Sequence, residues 1–432
     1  MNVLEFFTDP ILRAPTIGCL LMGISSSIMG VISMLRKRSL IGEALSHATY
    51  PGVVLGVSFF GVFFPSYQDW SFLGVFLGAT LSSYLAIKII HILETKYNVN
   101  SDASLCFVLS TFFGIGLLFA SHIQFSLTFW YQKIQVYLYG QSATMTDVHV
   151  IVYAFLTSLT LLFLIGFYNH LKVILFNLEY AKTIGIKTNL IEGISFFLFV
   201  VSIVIGLRSV GIVLMSGMLI APAVFARQFT ERLSTLFLLA ILMSLTSAFL
   251  GNYFSYVLSE KYLITMPTGP LIVIIGTLFA FFALLFAPKR GFIFRKVRIW
   301  NFKRKCVGEN ILKSIWKSPS QQTDFLYLRK NIGLSTWFLR RHLKKLEKEG
   351  WLRKGKNSFA LTCDGIKKSE RIVRLHRLWE VYLAEHLDVG VEKVHKNAEE
   401  MEHIITPELE KKLTKLLDNP TKDPHLQPIP KE

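Results

Sequence analysis

The sequence predicts a mainly α-helical chain of two unlike parts. The first is a polytopic transmembrane helical domain of about nine spans, N-terminus out and C-terminus in; a winged helix-turn-helix and a further helical domain follow. Three observations carry this reading. Residues 1–288 hold repeated apolar runs of membrane-spanning length, the charge changes abruptly after Pro288, and an order of helix, turn, basic helix and basic hairpin begins near Glu309. The chain has 432 residues, 52% of them hydrophobic, with 36 Phe; its mean hydropathy of +0.46 is too high for one ordinary soluble domain. A net charge of +17 is equally unlike a chain that is membrane throughout. The charge is local: residues 1–288 carry +3, residues 289–356 carry +16 and residues 357–432 carry −2.

The spans are expected near 12–34, 43–64, 70–90, 103–121, 147–168, 190–207, 211–228, 233–258 and 270–287. The sixth and seventh are short enough to be broken helices around Arg208 and Pro222. No basic segment precedes the first apolar run, so that run reads as a span and not as a signal peptide. One set of loops carries Arg36, Lys37, Arg38, Lys88, Lys96, Lys172, Lys182, Lys187, Arg227 and Arg232, whereas the opposite set carries Arg13, Lys133, Arg208 and Lys261. The richer set is expected on the cytoplasmic side. Cys19, Cys106, Cys306 and Cys363 form no CxxC pair, and a disulfide framework is not expected.

Ionisable groups within spans are costly and therefore candidate functional groups. Glu43 and His47 lie in Gly42-Glu43-Ala44-Leu45-Ser46-His47-Ala48-Thr49-Tyr50-Pro51-Gly52. At i and i+4 they share a helix face, and a carboxylate with an imidazole makes a partial shell for a divalent metal. The competing reading is a Glu–His hydrogen bond between helices with a packing role.

This segment resembles the second-helix motif of the manganese/zinc/iron permeases of ABC transporters. Ser101-Asp102-Ala103, Tyr139-Gly140, and Val210-Gly211 leading to Leu219-Ile220-Ala221-Pro222-Ala223 extend the resemblance over essentially residues 1–288. It implies transport of Fe, Mn or Zn past Glu43 and His47, a homodimeric or paired permease, a separate ABC ATPase subunit, and an extracytoplasmic metal-binding protein. The loop Asn177–Gly185, with Glu179, Ala181 and Gly185, is similar to the family's coupling helix, which docks on the ATPase; the alternative is an amphipathic connector. The chain contains no Gly-x-x-x-x-Gly-Lys-Ser/Thr, so no P-loop of its own supplies energy. It is therefore read as a permease and not an enzyme.

Beyond a basic linker at 289–308, residues 309–368 read as a winged helix-turn-helix. Ile311-Leu312-x-x-Ile315-Trp316 and Phe325-Leu326-x-Leu328 are amphipathic, Gly333 marks a turn, and Ser335 is the expected N-cap of a helix that ends at Gly350. Trp351–Lys354 and Phe359–Thr362 are expected strands around Gly355–Ser358. Arg340, Arg341, Lys344 and Lys345 on the recognition helix and Lys356 at the wing tip are the expected DNA contacts, with Ser335 at the helix start. Attraction to anionic lipid is the rival for so basic a surface.

Residues 369–432 add two helical stripes: His376 with Glu380, and His395, Glu399, Glu402 and His403. Such a mix of imidazoles and carboxylates suits Fe(II), Mn(II), Co(II) or Zn(II); the bland reading is a solvated surface.

Three runs are similar to the diphtheria-toxin-repressor family of iron- and manganese-dependent regulators. They are Arg374-Leu375-His376-Arg377-Leu378-Trp379-Glu380, Val394–His403 and Pro424-His425-Leu426-Gln427-Pro428-Ile429-Pro430. The resemblance implies metal ligation at His376, Glu380, His395, Glu399, Glu402 and His403, with Fe(II) or Mn(II) as co-repressor of a dimer that binds operator DNA. Three positions qualify the resemblance: Glu399 stands where iron-sensing members carry Cys and manganese-sensing members Glu, Asn310 where a first-helix Met or Asp ligand is expected, and Leu426 where Gly is usual.

The combined expectation is a metal permease of a bacterial inner membrane fused to a cytoplasmic repressor that lowers synthesis of its own importer and is released by proteolysis within Lys289–Lys305. The alternative is a permease whose second half gates transport and never binds DNA.

Overall fold

The computed structural model describes residues 5–430 except 39, 64–70, 127, 264–265, 356–357, 387–397 and 400. The chain divides into two compact units, Met1–Phe294 and Arg295–Glu432.

The first unit is helical because a backbone in hydrocarbon must satisfy its own N–H and C=O groups. Its elements are α1 (Glu5–Thr8), α2 (Pro10–Leu35), α3 (Ile41–Ala48), α4 (Tyr50–Phe63), α5 (Ser71–Thr95), α6 (Ser101–Ser126), α7 (Thr128–Tyr139), α8 (Asp147–Gly166), α9 (Tyr168–Phe176), α10 (Leu178–Thr183), α11 (Thr188–Ser209), α12 (Ile212–Phe229), α13 (Leu233–Tyr262) and α14 (Thr268–Phe286). Asp9 caps α2 by accepting from the Ile11 N–H at 2.8 Å, and Pro10 occupies the first turn, where its missing N–H costs nothing.

Among the described residues eight helices are long and apolar enough to cross a membrane. The expected span 43–64 is not one of them: it falls on α3 and α4, which meet at Thr49. Pro51 lacks the N–H that a continuous helix would donate to the His47 carbonyl, so the helix breaks beside the candidate metal residues. The sixth and seventh spans, expected to be breakable, are instead the continuous helices α11 and α12. Pro222 lies within α12, which packs against α2, α13 and α14. Arg208 lies in the last turn of α11, and its carbonyl accepts from the Gln141 N–H at 2.8 Å.

Helix contacts in this unit use small residues and local polar bonds, as expected where water expulsion cannot drive association. At the α4–α5 crossing, a Cβ on Gly52 or Gly56 would overlap the carbonyl of Gly78 or Gly74. Ser244 Oγ donates to the Gly23 carbonyl at 2.9 Å, Ser82 Oγ to Ala48 at 2.6 Å, and Tyr153 OH to Ile205 at 2.9 Å.

The second unit opens with α15 (Phe292–Trp316), so most of the expected linker is helical. There follow β1 (Gln322–Asp324), α16 (Phe325–Ile332), α17 (Thr336–Lys348), β2 (Leu352–Lys354), β3 (Ser358–Leu361), α18 (Cys363–His386) and α19 (Pro407–Leu416). The expected hairpin is present, and β1 joins it to make an antiparallel sheet of order β1-β3-β2, with Thr323 opposite Phe359 and Arg353 opposite Ala360. The polar triplet of β1 has no apolar alternation and is not among the expected strands. Ser335 occupies the N-cap position of α17 without the side-chain hydrogen bond expected of it. Ile311, Leu312, Ile315, Leu328, Leu339, Leu343, Leu346 and Leu352 form the core of this winged helix-turn-helix.

Three arginines one turn apart on α18 fasten the C-terminal Pro-rich segment and α19. Arg371 donates to Glu410 at 3.1 Å, Arg374 to the Pro430 carbonyl at 2.9 Å, and Arg377 to the Pro428 carbonyl. Asp423 turns this segment by accepting from the N–H groups of His425 and Gln427 at 2.9 and 2.7 Å. The turn places Leu426 at φ +62° with its side chain 75% exposed, a left-handed conformation that costs an L-residue about 1–2 kcal/mol. Leu426→Gly is therefore expected to stabilise the second unit by about 0.5–1 kcal/mol after the entropic cost of glycine. Urea unfolding of the 295–432 fragment would read this as a raised midpoint; an unchanged or lowered midpoint would refute it.

Candidate metal and DNA-binding sites

In the membrane unit α3 carries both candidate residues. Glu43 and His47 are partly buried on one face of α3, a helix that packs chiefly against α6 and α12. The His47 ring packs edge-on against Phe113, with centroids 4.7 Å apart, and its Nδ1 is buried with no hydrogen-bond partner among the described residues. An imidazole nitrogen left in that state is suited to a ligand that supplies positive charge.

Two motif fragments distant in sequence meet nearby. Gly140 (φ +76°) and Gly211 (φ +91°) approach so closely that a Cβ on either would lie 2.6–2.7 Å from the other's backbone nitrogen. The Tyr139-Gly140 and Val210-Gly211 pairs are thus two sides of one contact that only glycine fits.

The expected coupling loop contains the short helix α10. Asn177 caps it by accepting from the Tyr180 N–H at 3.1 Å, Ala181 is fully buried beneath it, and Gly185 closes it at φ +81°. Glu179 faces outward and pairs with Lys182 at 3.0 Å. Phe176, Tyr180 and Ile184 are exposed around it, at 89%, 55% and 50%, an apolar surface with a charged edge.

The regulatory cluster draws on three segments of the second unit. His376 and Glu380 project from α18, Glu402 and His403 precede α19, and α15 contributes Glu309 and Lys313; all six are buried. His376 contacts Glu380 through Nε2 at 3.0 Å and Glu402 Oε2 through Nδ1 at 2.5 Å. Lys313 Nζ donates to the same Glu402 oxygen at 2.7 Å and lies 3.2 Å from His376 Nδ1. Two charged donors do not share a hydrogen bond, so the Nδ1–H is assigned to the shorter contact with Glu402.

Burial opposes the imidazolium of His376, but its hydrogen bonds to Glu380 and Glu402 outweigh that and hold its pKa above the usual value. Burial likewise opposes the Glu402 carboxylate, and His376 with Lys313 outweighs it and keeps the group below the carboxylate range.

The other side of the cluster is arranged differently. His403 Nδ1 is 2.7 Å from Glu309 Oε2, which directs Nε2 toward Glu402 Oε1 at 3.6 Å. Both of these last atoms are buried without a hydrogen-bond partner among the described residues. A histidine oriented by a carboxylate, opposite an unsatisfied carboxylate oxygen, is the donor chemistry of a divalent-metal seat.

Of the six expected ligands, the fold therefore gathers His376, Glu380, Glu402 and His403. Glu399 lies on an exposed surface, and His395 lies outside the described residues. Among the described residues no three His, Cys, Asp or Glu side chains are grouped to hold one ion; Lys313 stands among those that are gathered. Asn310 is exposed, and its neighbour Glu309 turns inward instead. Sequence reasoning missed Glu309 and Lys313. The available signal was a Glu–Lys pair at i, i+4 bordering the apolar positions Ile311, Leu312 and Ile315.

On the winged helix-turn-helix, Arg340, Arg341, Lys344 and Lys345 are all exposed on α17 while Leu339, His342, Leu343 and Leu346 are buried. Arg340 stacks over Phe325 and Arg341 over Trp337, at 5.5 and 5.3 Å, and Lys345 pairs with Glu349 at 3.4 Å. The expected wing-tip contact, Lys356, lies outside the described residues.

Residues 8–287 match the ABC 3 transport family, and residues 362–431 match the iron dependent repressor, metal binding and dimerisation domain. The chain is 34% identical over 442 residues to a "Probable metal transport system membrane protein" of Chlamydia trachomatis, covering 98% of this chain and 97% of that protein. It is 31% identical over 377 residues to the Bacillus subtilis "Manganese transport system membrane protein MntC", covering 86% and 84%. The solved PsaBC of Streptococcus pneumoniae shares the membrane fold, with a TM-score of 0.58 at 23% identity over 68% of this chain and 98% of that one. These matches show that the chain belongs to the ABC 3 transport family and continues into an iron-dependent-repressor metal-binding and dimerisation domain.

Proposed function

We propose that this chain is the permease subunit of an ABC importer of a divalent transition metal, iron, manganese or zinc, joined to an iron- or manganese-dependent DNA-binding repressor of that importer. The observation that carries the regulatory half is the buried, unsatisfied pair Glu402 Oε1 and His403 Nε2. Leaving two such acceptors dry costs about 1–3 kcal/mol each, which a bound cation removes. Fe(II) or Mn(II) then favours the dimer that presents α17 to the major groove, with Arg340, Arg341, Lys344, Lys345 and Lys356 on phosphate or bases and Ser335 at the helix start.

The membrane half passes the ion by Glu43 and His47. It works as a pair of permease subunits, receives substrate from an extracytoplasmic metal-binding protein, and couples through Glu179, Ala181 and Gly185 of the α10 loop to a separate ATPase. The excess of Lys and Arg in one loop set supports an inner-membrane topology with the second unit in the cytoplasm. Proteolytic release of the repressor within Lys289–Lys305 would require local opening, because residues 288–290 form a turn closed by the Gly291 N–H on the Ala287 carbonyl and α15 is helical from Phe292 onward.

Three outcomes test the reading. Glu43→Ala and His47→Ala are each expected to lower cellular uptake of radioactive Mn(II) or Fe(II) at least about tenfold at equal protein level; uptake unaffected in both removes the pathway. The second unit is expected to retard its upstream DNA only with Fe(II) or Mn(II). If dimeric, metal-loaded protein gives no shift, the second unit gates transport without DNA. Glu309→Gln, which loosens the carboxylate behind His403, is expected to weaken Mn(II) binding about 10–100-fold with the circular dichroism spectrum unchanged; unaltered affinity would show that Glu309 does not orient the ligand.

A further inference from the structure

Lys313 is a charged residue in an apolar helix face, 5% exposed, and no transport or DNA-binding role accounts for it. A lysine rarely buries its ammonium without a paired acceptor, and here the acceptor, Glu402 Oε2, is an atom that a metal would take. Nζ lies 2.7 Å from Glu402 Oε2 and 3.2 Å from His376 Nδ1, and His376 is held in turn by Glu380 at 3.0 Å. His376, Glu380 and Glu402 would otherwise offer an ion three donors.

We propose that the ammonium of Lys313 permanently replaces a second divalent ion, so that the regulatory unit holds one ion, on the side of Glu402 Oε1 and His403 Nε2. This rests on the reading of the cluster as a metal seat and specifies its capacity. The two sides of Glu402 divide the work. Oε2 is saturated by Lys313 and His376, whereas Oε1 has no hydrogen-bond partner among the described residues and stands 3.6 Å from the Nε2 of His403. Two donors each about 2.1 Å from one ion are roughly 3.0–3.4 Å apart, so a small inward movement completes the contact. An ion held by His376, Glu380 and Glu402 would need the oxygen that Lys313 occupies and would face its charge across a few ångströms of low-dielectric interior. Lys313 also ties α15 of the winged helix-turn-helix to the segment before α19 with no metal bound, leaving one ion to report metal status.

The test counts Mn(II) ions bound per full-length chain in detergent micelles after equilibrium dialysis, each variant against the parent. His403→Ala is expected to bind one ion fewer, Glu380→Ala the same number, and Lys313→Met one more. A folded Lys313→Met with the parent's count overturns the proposal, as does loss of an ion in Glu380→Ala. Lys313→Gln replaces Lys313→Met if the latter does not fold, and Glu380→Ala decides the question in a chain that keeps Lys313. If His403→Ala loses no ion, the metal reading of the cluster itself fails, an outcome distinct from a failure confined to Lys313.

Discussion

A carboxylate removed from water must be met by positive charge, and the regulatory unit is organised around that requirement at Glu402. Its side chain is fully buried, against Lys313 from one helix and His376 from another. Removing one partner of such a pair typically costs about 3–5 kcal/mol, so α15, α18 and the segment before α19 are held in register by one group. The helix that begins the winged helix-turn-helix is also the helix that reaches into this buried cluster. Glu309 and Lys313 lie on the same helix as Ile311, Leu312 and Ile315, which belong to the core that supports α17.

The membrane unit answers a different constraint. Its backbone must be satisfied internally, so continuous helices are the rule and a break has meaning. Among the segments expected to span, the one carrying Glu43 and His47 is interrupted, at a point set by Pro51. Elsewhere the helices meet through glycines and short hydroxyl bonds, which bring backbones close without polar groups left over. Arg208, at the end of α11, is placed by the carbonyl it offers to Gln141, beside the Gly140–Gly211 contact.

The C-terminal Pro-rich segment illustrates a local cost accepted for a global fit. Arg371, Arg374 and Arg377 fix α19 and residues 428–430 onto α18, and Asp423 bends the chain between them. The bend demands a left-handed residue at 426, and the sequence departs there from the glycine its family resemblance implies. Leu426 is exposed, so the strain lies between its own Cβ and backbone and not in packing against neighbours.

The amino-acid sequence by itself determined the division into an apolar half and a basic half, the eight long apolar helices to within a few residues, the amphipathic α17 and the hairpin after it, because each is written in local periodicity and charge. It also singled out His376 and Glu380, which share a helix face, and Glu402 and His403, which the fold carries in a turn before α19. Tertiary structure alone decided that Glu309 and not Asn310 turns inward, that Lys313 takes up half of Glu402, that β1 completes the sheet, and that α11 and α12 run unbroken. Each of these depends on a partner distant in the chain, and a one-dimensional pattern of polarity carries no record of which charge will be buried against which.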